Sequence, residues 1–104
     1  MRQMPYKEFA RRRDELDARL IDVRSPEEFR EVHARGAELF PLSKLREGKR
    51  PEDDGRPIAL ICRSGNRSAM AAKILEADGF DECINIQDGT NGALEAGQEH
   101  IVSE

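Results

Sequence analysis

Pro57-Ile58-Ala59-Leu60-Ile61-Cys62-Arg63-Ser64-Gly65-Asn66-Arg67-Ser68-Ala69-Met70-Ala71-Ala72-Lys73-Ile74-Leu75-Glu76 is the stretch whose reading decides the fold. Four apolar residues in a row, bounded by Pro57, predict a short strand buried on both faces, as strands of a parallel sheet are. A polar loop with two arginines follows Cys62, and a helical run follows the loop. In that helix Met70, Ala71, Ile74 and Leu75 are expected to face the sheet, the small residues allowing close approach. A thiol is thereby placed at the carboxyl end of a buried strand and just before a helix N-terminus. Unpaired backbone N–H groups there favour negative charge.

Upstream, Leu20-Ile21-Asp22-Val23 reads as a second buried strand interrupted by one carboxylate. Ser25 suits an N-cap, Pro26 the first helical position, and Glu27 and Glu28 the positive end of the helix dipole. Asp22 and Arg24 fall at the strand's carboxyl end, where open α/β sheets gather functional groups. Tyr6 to Leu16 is predicted as a short amphipathic helix on Phe9, Ala10 and Leu16, with Arg11-Arg12-Arg13 on its solvated face. His33 to Ala37 is expected to end the second helix, with His33 in a structural hydrogen-bonding role. Glu38 to Phe40 reads as a short strand, Leu42 to Leu45 as a helical turn, and 46–57 as an exposed connection.

Downstream, Gly79 stops the long helix and Phe80 folds back on its last turn. Cys83 to Ile86 reads as another strand, Asp88 to Gly92 as a turn, and Ala93 to Ala96 as a last helical piece. The tail from Gln98 is expected to be loosely held. Strands alternating with helices predict an α/β fold with a mainly parallel sheet.

With 104 residues, the chain is expected to form a single domain over 1–104, since two halves would be too small to bury useful cores. The net charge of −4 argues against nucleic acid bound through a basic surface. No apolar stretch reaches the roughly 20 residues of a membrane span, and no signal-peptide core follows Met1. Two cysteines in such a chain are expected to be reduced thiols in a cytoplasm.

A free thiol ionises near about 8.5 and is only slightly thiolate at pH 7. The helix N-terminus, the charges of Arg63 and Arg67 and the converging amides of a tight loop are expected to lower that value. Gly65 lets the backbone turn inward; Ser64 and Ser68 add hydroxyl donors; Asn66 donates an amide or caps the helix. Such a loop stabilises a thiolate, a persulfide anion or a bound oxyanion with the same donors. Cys83 has no comparable surround and reads as a packed strand residue.

Asp22-Val23-Arg24-Ser25-Pro26-Glu27-Glu28-Phe29, His33-Ala34-Arg35-Gly36-Ala37 before Pro41-Leu42, Cys62 through Ala69, and Ala77-Asp78-Gly79-Phe80 through Gly89 together resemble a rhodanese-like domain. The resemblance implies a small three-layer α/β domain with an essentially parallel five-stranded sheet flanked by helices. It implies a sulfurtransferase in which Cys62 takes the outer sulfur of thiosulfate or a persulfide donor and passes it to cyanide or a thiol acceptor. The alternative is a sulfur carrier or regulatory module serving one protein partner. Arg63, Ser64, Gly65, Asn66, Arg67 and Ser68 would cradle the small anionic donor, with Asp22, Arg24 and His33 in supporting positions. No metal or organic cofactor and no nucleic-acid or membrane partner is expected.

Four residues separate Cys62 from Arg67. Phosphatase and arsenate-reducing relatives carry a loop one residue longer, and tyrosine phosphatases have a histidine where this chain has Ile61, so sulfur transfer is the expectation. The pattern departs from the family at Val32, Asp88 and Gly92-Ala93, the last leaving the closing helix without its usual large aromatic anchor.

Overall fold

The apolar run at 58–61 is the middle strand of the sheet. In the computed structural model, which describes residues 1–103, β1 (Arg2–Met4), α1 (Tyr6–Leu16), β2 (Arg19–Asp22) and α2 (Pro26–Glu31) come first. They are followed by β3 (Val32–Ala34), β4 (Glu38–Leu39), α3 (Leu42–Arg46), β5 (Ile58–Ile61) and α4 (Asn66–Ala77). β6 (Ile84–Ile86), α5 (Gly89–Ala96), a 3-10 turn (Gln98–His100) and β7 (Ile101–Ser103) close the chain. Five strands pair in the order β1-β6-β5-β2-β4, every neighbouring pair parallel.

Strand periodicity divides the interior into two cores. Leu20, Ala59 and Ile61 point to the side where Tyr6 and Phe9 of α1 and Ala93 of α5 pack. Ile21, Ile58, Leu60 and Cys62 point to the other side, against Leu42 and Leu45 of α3 and Ala71, Ala72 and Leu75 of α4. Helices on both faces of one sheet make the three layers that the family resemblance implied. Each fully buried leucine or isoleucine contributes about 1.5–3 kcal/mol against conformational entropy. The connection leaving β2 leads outward to β4, whereas that leaving β5 leads through α4 to β6 on the opposite side. The carboxyl ends of β2 and β5 therefore flank a topological switch point, the place where open α/β sheets bind ligands.

Several local expectations are corrected. The second helix ends at Glu31, and His33 lies on β3, not in a helical end. The tail is not loose: β7 pairs antiparallel with β3, His33 opposite Val102 and Ala34 opposite Ile101. Pairing its backbone groups gives the segment a reason to be ordered that no local pattern shows. β1, which the sequence reading did not assign, pairs with β6 at the sheet edge.

The turn expected at 88–92 is the first part of α5. Met70 faces outward at 43% exposure, because Ser68, Ala71, Ala72 and Leu75 occupy the inner stripe of α4. Without a large aromatic, α5 is held by a fully buried Ala93 and by bonds to the cysteine loop described next.

Candidate functional site

The cysteine loop is stretched between the ends of two helices. β5 carries Cys62 to the carboxyl edge of the sheet, where the residue is 1% exposed. The chain reverses at Gly65, whose φ of +99° lies in the left-handed region, and α4 starts at Asn66. Any side chain at 65 would run into the carbonyl of Gln87, so the turn requires glycine. The reversal aims the Gly65 N–H at Cys62 Sγ, 3.1 Å away.

On the other side of the loop, α5 takes up the carbonyls. Thr90 donates to Cys62 O from its amide at 2.8 Å and from its hydroxyl at 3.0 Å. Asn91 N–H donates to Arg63 O at 3.3 Å. Gly89 packs so tightly on the Cys62 and Arg63 backbone that a Cβ would overlap both. Oxygen dipoles that would repel an anionic sulfur are thus bonded to α5, while amides face the sulfur.

Burial pushes the Cys62 thiol up, but the Ser68 hydroxyl and the amides of Ser68, Ser64 and Gly65 outweigh burial and bring it below its ordinary value. Ser68 Oγ is 3.3 Å from Sγ and donates a short hydrogen bond to Asn85 Oδ1. Asn85 in turn donates to Gly65 O at 3.2 Å and Gln3 Oε1 at 2.9 Å, tying the loop to β6 and β1. Ser68 has one proton. While it points at Asn85 the thiol donates to Ser68; an ionised Cys62 draws that proton to itself. Cys83 is different: burial, with Glu76 adding to it, pushes its thiol up to about 11.

The expected roles of the two arginines separate. Arg63 is exposed beside the loop. Arg67 forms a bidentate pair with Glu28 at 2.8 and 3.0 Å, so much of its charge is already matched, although the Cys62 thiolate also raises its pKa. Glu28 has two tasks. It closes a capping box with Ser25 at the start of α2, and it clamps Arg67 on α4. Asn66 is the first residue of α4, exposed and not its cap; Gly65 holds the cap position. Ser64 is exposed at the loop's tip.

The hydrogen bond to Arg67 holds the Glu28 carboxyl down at about 2, against an ordinary 4.5. The stability this contributes is fully present above pH 4.5 and is lost as pH falls through about 2. Discounted for partial solvent screening, Glu28→Gln is expected to cost about 1 kcal/mol at pH 7. The gap to wild type should shrink as pH falls from 4.5 toward 2, which urea unfolding at a series of pH values checks.

Of the supporting residues, Asp22 and Arg24 lie near the loop at the end of β2. They form a buried pair at 2.8 Å, and Asp22 Oδ1 also accepts the Arg24 amide. His33 is not brought to the loop: its ring stacks on Phe29 at 3.7 Å and its Nδ1–H donates to Phe29 O at 2.7 Å, finishing α2. Glu28, Asn85 and Thr90 were missed as site residues. The available signals were the Ser25-x-x-Glu28 capping-box spacing and a polar Asn85 inside an isoleucine strand.

The chain as a whole has known relatives. The family model for the rhodanese-like domain matches residues 5–96. "Uncharacterized protein YqhL" of Bacillus subtilis is 40% identical over 72 residues, 69% of this chain and 57% of that protein. "Probable adenylyltransferase/sulfurtransferase MoeZ" of Mycobacterium tuberculosis is 40% identical over 85 residues, 74% of this chain and 21% of that protein. The chain thus spans little more than half the length of the first relative and a fifth of the second. The crystal structure of a rhodanese-related protein from Thermoplasma volcanium superposes with a TM-score of 0.82 at 28% identity, over 98% of each chain. Sheet order, sequence match and structural likeness agree, and the chain belongs to the rhodanese-like domain family.

Proposed function

We propose that this domain transfers sulfane sulfur through a persulfide on Cys62. The observation that carries the reading is a buried thiol held toward its ionised form by the surrounding loop, with the Gly65 amide 3.1 Å from Sγ. The Cys62 thiolate attacks the outer sulfur of thiosulfate. The donor's S–S bond breaks, a new Sγ–S bond forms, and sulfite leaves with the bonding pair. Attack by cyanide or a thiolate on the outer sulfur then regenerates the Cys62 thiolate and carries the sulfur away.

Covalent catalysis divides one transfer into two displacements: the first raises Cys62 to the persulfide level as sulfite leaves with the electron pair, and the second returns it to the thiolate, so the protein ends the cycle as it began. Loop amides that hold the thiolate also face the persulfide, so the resting charge and the intermediate's charge share one set of donors. Arg63 gathers the anionic donor at the mouth of the loop. Arg67 acts as a positioning residue, fixing the start of α4 against α2 through Glu28. Asp22 and Arg24 brace the neighbouring strand end.

Intact-mass measurement after treatment with thiosulfate or an organic persulfide tests the reading. One labile sulfur atom on Cys62, released by cyanide as thiocyanate, is the expected result. Failure of Cys62 to gain sulfur from either class of donor overturns it. Release to a protein acceptor with poor turnover of cyanide would assign the same persulfide to sulfur carriage.

A further inference from the structure

Beside the cysteine loop, at the switch point between β2 and β5, lies a half-open cavity of about 210 Å³ of which transfer from thiosulfate engages only the Arg63 edge. Arg24, Glu31, Val32, Arg63 and Leu94 line it, with Glu28 at one side. Two features make it more than a groove. Arg24 is 4% exposed; its Nε and Nη2 are taken by Asp22 and the Val32 carbonyl, and its Nη1 has no partner among the described residues. No buried side-chain polar atom among the described residues lacks a partner, so Nη1 reaches the solvent of the cavity and is free to donate to an acceptor placed there.

The second feature is charge of both signs. Glu28 is committed to Arg67 and Asp22 to Arg24. Arg63 and Glu31 are exposed and form no ion pair among the described residues. The open charges on the cavity are therefore one cation and one anion. Val32 and the 45%-exposed Leu94 supply apolar surface. Thiosulfate, a small dianion, has no use for a carboxylate or for apolar walls. Volume narrows the choice further. At about 210 Å³ the cavity lies below the roughly 300 Å³ at which pockets for drug-sized ligands begin. That suits a head group the size of one amino acid, and the rest of a tripeptide would have to extend out through the open side.

Resting on the Cys62 persulfide reading, we propose that this cavity is the head-group subsite for a cysteine-sized α-amino-acid persulfide, which serves as the sulfur donor. Its carboxylate meets Arg24 Nη1 and Arg63, its ammonium meets Glu31, and its methylene lies between Val32 and Leu94. In the transfer, the Cys62 thiolate attacks the outer sulfur of R–S–SH. The Sγ–S bond forms, the donor's S–S bond breaks, the proton stays on the outer sulfur, and the amino-acid thiolate leaves.

The test compares Cys62 loading from cysteine persulfide, glutathione persulfide and thiosulfate in wild type and in Glu31→Gln, a surface change that leaves the fold intact. Glu31→Gln is expected to raise KM for cysteine persulfide about tenfold, as for one lost charge-assisted contact, and to leave KM for thiosulfate equal or lower. Wild type should prefer cysteine persulfide to glutathione persulfide.

Titrating the unreactive S-methylcysteine into Cys62→Ser, followed by NMR, reports the subsite without sulfur chemistry. Shifts at Arg24, Val32 and Leu94, weakened in the double variant with Glu31→Gln, are expected. No shifts, or an equal effect of Glu31→Gln on all three donors, overturns the subsite while sulfur loading of Cys62 keeps the transfer reading intact. Loading from no donor at all overturns both.

Discussion

Cys62→Ser is expected to abolish sulfur transfer, lowering thiocyanate production by about 10⁴-fold or more, to the uncatalysed level. Serine keeps the shape of the residue and can accept the Gly65 N–H that now reaches Sγ at 3.1 Å, so the loop should stay closed. An alcohol, however, is not ionised by a few amide hydrogen bonds, and oxygen does not hold a transferable sulfane sulfur as a sulfur atom does. Cys83 cannot stand in, because it is buried before the amino end of β6, at the opposite end of the parallel sheet from the loop, and its thiol is pushed up to about 11. Thiocyanate assays with thermal unfolding in parallel check the prediction. A variant with near-native melting and more than about 1% of wild-type turnover would mean that another group takes the sulfur.

Gly65→Ala is expected to give the second largest effect, and to act on fold and site together. At φ +99° an alanine is strained by about 1–2 kcal/mol on backbone grounds alone. Its Cβ would also strike the Gln87 carbonyl, which is backbone and has no rotamer to yield. The loop must then separate from the end of β6. That motion pulls the Gly65 amide from Cys62 Sγ and the Gly65 carbonyl from Asn85. A stability loss of about 2–4 kcal/mol is expected, together with at least a roughly hundredfold fall in transfer. The rate of iodoacetamide alkylation against pH should shift upward, toward an ordinary thiol. An unshifted alkylation profile in a folded variant would show that the Gly65 amide does not set the ionisation of Cys62.

The contrast between these two residues and Glu28 shows which parts of the site local sequence carries. Cys62 and Gly65 stand three residues apart in a strand–loop–helix whose signals are all local: an apolar run, a glycine, a helical stripe. Their juxtaposition follows from chain geometry once those elements form. Glu28 and Arg67 are 39 residues apart, and nothing in either segment announces the other. The sequence expectation gave Arg67 to the anionic donor. The fold also pairs its guanidinium with a capping-box glutamate, because packing α2 beside the start of α4 places a carboxylate where the arginine reaches.

The same reasoning separates the elements. The strands at 58–61 and around Leu20, and the helices at either side of them, are legible because burial on a sheet or along one helix face imposes a period on the chain. β7 and β1 are three-residue strands, too short for a period to show. They exist because β3 and β6 offer unpaired backbone groups to segments about 70 and 80 residues away. α5 was hidden for a related reason: Asp88-Gly89-Thr90-Asn91-Gly92 has turn composition, yet its amides find the carbonyls of Cys62 and Arg63 and are held helical against them.

The sequence by itself determined the α/β class, the position of the Cys62 thiol at a strand end, and the six-residue loop around it, since each depends on neighbours within a few residues. Tertiary structure alone decided that Arg67 is paired, that His33 stands apart from the loop, that α5 turns the loop's carbonyls away from the sulfur, and that Arg24 and Arg63 share a cavity. Those outcomes depend on which distant polar groups the packed sheet and helices bring within hydrogen-bond reach, a quantity that no local pattern encodes.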